Sequence, residues 1–118
     1  MSMQDLPEPR GATTPVEIEL DREAHALRFV WSDGQKAAFD WEFLRWRCPC
    51  AFCSGEGGRP GELEGRTELR PEEYVLTDVN VVGRYAIVLT WQDGHDTGIF
   101  TFRGMRALAE QAGLIRAD

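Results

Sequence analysis

The sequence has one lysine, two histidines and three cysteines, and it lacks any long apolar run. Thirteen Lys and Arg residues against twenty Asp and Glu residues give it a net charge of −7. Nonspecific nucleic-acid binding needs a surplus of basic charge, so this balance argues against nucleic acid as a partner. A membrane span needs about 18 consecutive apolar residues, so a membrane role is also unexpected. The opening residues, MSMQDLPEPRG, lack the pattern of a signal peptide, which predicts a cytoplasmic protein.

Length and composition predict one soluble domain that follows a flexible segment. The chain has 118 residues, of which 42% are hydrophobic and 28% charged, as is usual for a globular domain. Residues 1–15 contain three prolines and few apolar side chains, which predicts a flexible N-terminal tail before a domain at residues 16–114. Residues of about 55–72 are rich in glycine and glutamate and predict a mobile loop. We expect both segments to be dispensable for folding, and no internal repeat is recognisable.

Hydrophobic periodicity predicts a small α+β domain with a mostly antiparallel β-sheet and two short helices. Alternating and β-rich segments predict strands at residues 16–20, 26–31, 35–39, 74–82, 84–92 and 95–102. The first helix is predicted at residues 41–47, where Asp40 is a suitable N-cap. The second is predicted at residues 103–112, and Gly113 lies where a glycine often ends a helix.

Asp93-Gly94 is a strong signal for a two-residue β-hairpin turn. Such a turn fixes the register of its strands and pairs Ile87 with Phe100. It places His95 beside the turn on the face opposite the core, so His95 is predicted to lie outside the core. The predicted core face of the hairpin consists of five apolar residues: Tyr85, Ile87, Leu89, Phe100 and Phe102.

The three cysteines lie within six residues, as Cys48, Cys50 and Cys53. An odd number of cysteines without a signal peptide argues against a disulfide scaffold. Thiolates at this C-x-C-x2-C spacing can point at one centre, and a tetrahedral zinc site then needs a fourth ligand, which His95 can supply. The residues therefore predict a Zn²⁺ bound by Cys48, Cys50, Cys53 and His95. This metal would stabilise the small fold as a cross-link. Three incidental cysteines are the alternative.

Two segments resemble one known family: LRWRCPCAFC at residues 44–53, and YAIVLTWQDGH at residues 85–95. They are similar to the gamma-butyrobetaine hydroxylase-like N-terminal domain, over about residues 16–114. The resemblance implies a strand-rich module with a structural zinc on three cysteines and one histidine, which map onto the four residues named above. The family includes free-standing bacterial proteins of unknown function, and copies fused to dioxygenases or to iron–sulfur P-loop ATPases. The residues before Cys48 and the Gly/Glu loop depart from the dioxygenases, which argues against a shared partner surface.

Three functions remain open at this point. The favoured one is a non-catalytic zinc domain that acts as a protein-interaction or accessory module, because four protein ligands leave no open position to activate water. The second is an iron–sulfur or thiol redox protein, in which Arg45 and Arg47 lower a thiol pKa. The third is a thiol enzyme with a Cys–His pair.

The favoured function predicts no enzyme activity and either a protein partner or self-association. His25 and His95 cannot supply the two-histidine, one-carboxylate iron site of an oxygenase, because neither begins a His-x-Asp/Glu pair. We therefore expect no dioxygenase substrate.

Overall fold

The computed structural model describes residues 7–47, 55–56, 59–60, 67–96 and 98–116. The described chain forms antiparallel sheets and three short helices, one more helix than predicted, which confirms the predicted α+β class. In chain order the elements are β1 (Pro15–Asp21), β2 (Ala26–Trp31), β3 (Lys36–Asp40), α1 (Trp41–Trp46), β4 (Gly55–Glu56), β5 (Arg59–Pro60), α2 (Pro71–Tyr74), β6 (Leu76–Val82), β7 (Ala86–Trp91), β8 (Ile99–Thr101) and α3 (Phe102–Gln111). No helix among these is long and apolar enough to cross a membrane.

The first three-stranded sheet has the order β1-β2-β3. Alternate residues of β2 are buried, as a half-buried strand requires: Leu27, Phe29 and Trp31 are each at most 1% exposed. The chain leaves β3 directly into α1, and Asp40 caps that helix by accepting the backbone N–H of Phe43 at 3.2 Å. The predicted strand at residues 26–31 and the predicted cap at Asp40 are confirmed.

The second three-stranded sheet has the order β6-β7-β8, and the predicted register is confirmed because Ile87 pairs with Phe100. Ile87, Leu89 and Phe100 are fully buried. The prediction was wrong for Tyr85, which is 55% exposed. The strand begins at Ala86, so Tyr85 belongs to the preceding turn and escapes the alternation of the strand.

The two sheets are the halves of an internal structural repeat that the sequence analysis missed. Both edge strands, β1 and β6, are bulged at the same place, after their first residue. Each central strand ends at a tryptophan that begins a Trp-x-Asp-Gly turn. Both glycines adopt a positive φ, 84° in Gly34 and 90° in Gly94. Both third strands run directly into a helix. The domain is thus one β-β-β-α unit built twice.

The two halves exchange contacts through their helices and share one hydrophobic core. Arg45 of α1 pairs with Asp93 of the second half, and Arg106 of α3 pairs with Asp33 of the first half. The repeat is therefore reciprocal, with each helix reaching the hairpin turn of the other unit. The buried core comprises Leu27, Phe29, Trp31, Ala37, Phe39, Trp41, Leu44, Leu76, Ile87, Leu89, Trp91, Phe100, Phe102, Met105, Leu108 and Ala109.

The segment before β1 makes specific hydrogen bonds, whereas the sequence predicted a flexible tail at residues 1–15. The backbone N–H groups of Arg10 and Gly11 donate to the Glu110 carboxylate at 2.7 and 2.9 Å. The N–H of Ala12 donates to Asp33 Oδ2 at 3.2 Å. Gly11 passes so close to the Arg106 guanidinium that a Cβ atom there would lie 1.9 Å from it. These contacts argue that residues 10–12 contribute to folding.

Part of the predicted loop at residues 55–72 is also described. Gly55–Glu56 pairs with Arg59–Pro60 as a small antiparallel ribbon. At its end, α2 begins with Pro71, a residue suited to the first helical position. Residues 57–58 and 61–66 of the predicted loop lie outside the described residues.

The carboxylates that hold the N-terminal segment predict a loss of stability in acid. Burial opposes ionisation of Asp33 and Glu110, but hydrogen bonds from backbone N–H groups and from Arg106 outweigh it, so both pKa values lie below their ordinary range. A lowered pKa in the folded state stabilises the protein above the unfolded pKa, and the effect is lost as pH falls through the folded value. Below about pH 4, the stability of the wild type should therefore fall more steeply than that of the Asp33→Asn, Glu110→Gln variant. Urea unfolding between pH 7 and 3 measures this slope, with Glu17→Gln on β1 as the exposed control; equal slopes in all three proteins would contradict it.

Candidate metal centre

His95 lies at the end of a hairpin turn that backbone hydrogen bonds close. Gly94 donates its N–H to the Trp91 carbonyl at 2.9 Å, and the Trp91 N–H donates to the His95 carbonyl at 3.0 Å. The His95 N–H donates to Asp93 Oδ1, also at 3.0 Å. His95 is half-buried and lies outside the hydrophobic core, as the sequence predicted.

A buried arginine ties this turn to α1. Arg45 is 3% exposed, and its two terminal nitrogens contact the two carboxylate oxygens of Asp93 at 3.3 and 3.2 Å. Arg45 Nη1 also donates to the Glu73 carbonyl at 2.7 Å, and the guanidinium lies 5.5 Å from the centre of the Trp91 ring. Two-pronged pairing of this kind fixes the relative orientation of the partners. The C-terminal end of α1 and the His95 turn are thereby held together.

The residues around α2 support the same turn from another side. The N–H of Gln92 donates to the Val75 carbonyl, and the N–H of Asp93 donates to the Glu72 carbonyl, both at 2.8 Å. Burial raises the pKa of the Asp93 carboxyl, but Arg45 and the His95 N–H outweigh this, and the net pKa lies below its ordinary value. Asp93 is therefore an anion at neutral pH and a stable partner for Arg45.

The three cysteines lie outside the described residues, so the structure neither assembles nor separates the predicted ligand set. The last described residue before them is Arg47, which ends α1 with its N–H on the Leu44 carbonyl at 3.0 Å. The residues that the structure does describe contain no group of three or more potential metal ligands. His95 is the one predicted ligand that can be placed.

Sequence reasoning missed the role of Arg45. It treated Arg45 and Arg47 as cations beside the cysteines, whereas Arg45 is paired with Asp93, and the Arg47 guanidinium lies 3.6 Å from the centre of the Phe43 ring. One signal was available, because Arg45 follows Trp41 by four residues and so shares its buried helix face.

The other histidine is placed differently. His25 is exposed, adopts a φ of 53°, and stacks on the Trp41 ring at 4.5 Å between centroids. It packs at the start of α1 and is not brought to the His95 turn by any described contact.

Two cavities in the described part of the chain lie on the N-terminal side of the molecule. The first, of about 590 Å³, is lined by Tyr85, Ile99 and Phe102 together with residues of the N-terminal segment. The second, of about 620 Å³, includes the Asp33, Arg106 and Glu110 cluster. The described linings of both lack cysteine and histidine, so they bring no imidazole–thiol pair into a cleft.

Comparison with known proteins identifies a family and three similar solved structures. The family described as gamma-butyrobetaine hydroxylase-like, N-terminal, matches residues 18–106. A crystal structure from Acidithiobacillus ferrooxidans, of a protein of unknown function in the DUF971 family, is 32% identical, with a TM-score of 0.62, over 86% of this chain and 97% of that one. Two proteins solved by NMR are 25% and 27% identical, with TM-scores of 0.65 and 0.63. The two matches cover 90% and 87% of this chain, and 75% and 77% of the respective NMR chains. No curated protein compared with the chain matches it.

Proposed function

The chain belongs to the gamma-butyrobetaine hydroxylase-like N-terminal family, and we propose that it is a non-catalytic zinc-binding domain that acts through contacts with another protein or a second copy of itself. Cys48, Cys50, Cys53 and His95 are the proposed ligands of one Zn²⁺. The match confirms the resemblance seen in the sequence. The metal and the mode of action are our proposal.

The observation that supports the proposal most directly is the Arg45–Asp93 pair. It holds the His95 turn against α1, and Cys48 follows Arg45 by three residues. The chain between them spans at most about 10 Å, since an extended chain covers ~3.3–3.6 Å per residue. We propose that this short connection brings Cys48 to the His95 turn.

The internal repeat supports the same arrangement. The chain that follows α3 of the second half reaches the first half directly after the equivalent turn, where Arg116 and Lys36 exchange backbone hydrogen bonds at 2.6 and 2.8 Å. Gln35 occupies in that turn the position of His95. We propose that the chain that leaves α1 takes the equivalent path, next to His95.

The donor set fits zinc. Three thiolates and one imidazole form a closed tetrahedral set that is typical of structural zinc sites. When bound, the metal would cross-link the segment after α1 to the hairpin turn that contains His95. The protein residues provide the four donor atoms and hold them in place, and such a closed set has no open position for a substrate.

Metal analysis of protein purified anaerobically without chelator tests this function. We expect a colourless protein with one zinc per chain, and zinc loss in Cys50→Ser and His95→Ala. His25→Asn is the matched control, because it changes the other histidine to a residue that tolerates positive φ. A brown protein with iron and sulfide would replace this proposal with the iron–sulfur alternative.

The interaction part of the proposal is supported by exposed apolar surface. Trp31, Trp41 and Trp91 are buried in the core, whereas Tyr85 and Ile99 are 55% and 45% exposed and line one cavity. Sedimentation measures self-association, and affinity capture that compares wild type with His95→Ala measures zinc-dependent partners. A turnover that depends on Cys48, Cys50 or Cys53 would instead favour an enzyme.

A further inference from the structure

The repeat places two equivalent buried arginines on equivalent aspartates. Arg45 contacts Asp93 and lies over Trp91, and Arg106 contacts Asp33 and lies over Trp31. The distances to the tryptophan ring centres are 5.5 and 5.7 Å, and each arginine comes from the helix of the other half. We call these the Arg45–Asp93 pair and the Arg106–Asp33 pair.

The two pairs differ in what surrounds them. Arg106 Nε donates to Glu110 at 2.9 Å, so that guanidinium is held by two carboxylates. Arg45 Nε is buried and has no acceptor in the described part of the chain. The turn of the first pair continues into His95, and the turn of the second continues into Gln35. One pair therefore adjoins the proposed zinc ligands, and the other does not.

We infer that Arg45 and Asp93 are positioning residues for the zinc site, because they hold the His95 turn against the helix that leads to Cys48. This inference rests on the proposed function. Donors held in place before the metal arrives lose less conformational freedom on binding, so the affinity is higher. Arg45 Nε, which has no acceptor among the described residues, is also a hydrogen-bond donor close in sequence to the three proposed sulfur ligands. The Arg106–Asp33 pair likewise joins a helix to a hairpin turn, but no proposed zinc ligand adjoins that turn.

The experiment compares matched variants of the two pairs by zinc affinity. Asp93→Asn and Asp33→Asn remove one charge each, and Arg45→Met and Arg106→Met remove the cation. Zinc affinity is measured by competition with a chromophoric chelator, and the melting temperature of each metal-free protein is recorded alongside. We expect the Arg45 and Asp93 variants to bind zinc about 10- to 100-fold more weakly than wild type, as is typical when partners of metal ligands are lost.

The controls separate positioning from general stability. Arg106→Met and Asp33→Asn should lower the melting temperature of the metal-free protein while changing zinc affinity by less than about threefold. Arg45→Lys, which retains the charge and loses the two-pronged geometry, should have an intermediate affinity. If Arg45→Met does not fold, the comparison of Asp93→Asn with Asp33→Asn decides the question alone.

Two results would overturn the inference, and they are distinguishable. Equal zinc affinities in the two sets of variants, whether both unchanged or both weakened, would show that Arg45 and Asp93 are structural only, while the zinc site itself stands. Absence of zinc binding by the wild type would overturn the proposed function, and this inference with it.

Discussion

Removal of zinc by chelation is expected to lower the melting temperature of the wild-type protein by about 15 °C. A ligand that binds only the folded state stabilises it by about 4 kcal/mol when its free concentration is a thousandfold above Kd. A domain of this size loses several degrees per kcal/mol. The described core is small, and small cores are often supplemented by a metal. Differential scanning calorimetry with and without chelator measures the shift, with residual zinc determined on the same samples.

Variants in the proposed ligands should reproduce the effect of chelation. Cys50→Ser is expected to melt at the temperature of the chelated wild type, and added zinc should no longer raise it. His25→Asn should retain the full zinc-dependent shift. An unchanged melting curve after complete zinc loss would show that the metal, if bound, does not stabilise the fold.

Most of the secondary structure could be predicted because its signals are local. The apolar pattern of the sequence predicted β2 with the bounds that the structure shows, Ala26–Trp31. The cap at Asp40 and the end of α3 were also recognisable: Gly113 adopts a φ of 71°, and Leu114 donates its N–H to the Ala109 carbonyl at 2.8 Å. Each of these features depends on residues within a few positions of one another.

The buried charges could not be predicted in the same way. Arg45 reaches Asp93 across 48 positions of sequence, and Arg106 reaches Asp33 across 73. An arginine is ordinarily exposed unless it is paired. A local sequence pattern cannot predict a partner that lies 48 or 73 positions away. The same limitation explains residues 10–12, whose hydrogen-bond acceptors, Asp33 and Glu110, lie elsewhere in the chain.

The internal repeat could not be recognised in the sequence, because equivalent positions keep their burial more often than their residue type. Leu27 corresponds to Ile87, and Phe29 to Leu89, so the burial is preserved while the residue type changes. The identical residues are confined to a few places, chiefly the Trp-x-Asp-Gly turns and the two buried arginines. A turn of four residues is too common a signal to identify a repeat.

The candidate site was predicted in part. The hairpin signal correctly placed His95 beside a turn and outside the core. The same reasoning could not show that α1 and this turn are held together, since that depends on the buried Arg45. The predicted coordination by Cys48, Cys50 and Cys53 stays a prediction, because these residues lie outside the described part of the chain.

Arg106→Met is expected to destabilise the fold by about 3 kcal/mol, as is typical when one partner of a buried ion pair is removed. Arg106 is 4% exposed, and its guanidinium joins three parts of the chain: Asp33 in the first hairpin, Glu110 in its own helix, and through both carboxylates the backbone of the N-terminal segment. Methionine replaces much of the buried stem, so the loss arises chiefly from the two carboxylates left without a cation. Urea unfolding at pH 7 measures the change.

The control for this prediction is Arg103→Met, one turn earlier on the exposed face of α3. Arg103 is 60% exposed and pairs with Glu8, which is 77% exposed, so its removal should cost at most about 0.5 kcal/mol. Adding Asp33→Asn and Glu110→Gln to Arg106→Met should recover part of the lost stability, because the uncompensated negative charges are then removed as well. Equal losses in the Arg103 and Arg106 variants would show that the cluster contributes no more than a surface ion pair. Recovery in the triple variant would show that the cost lies in unpaired charge, and its absence would assign the loss to packing against Trp31 instead.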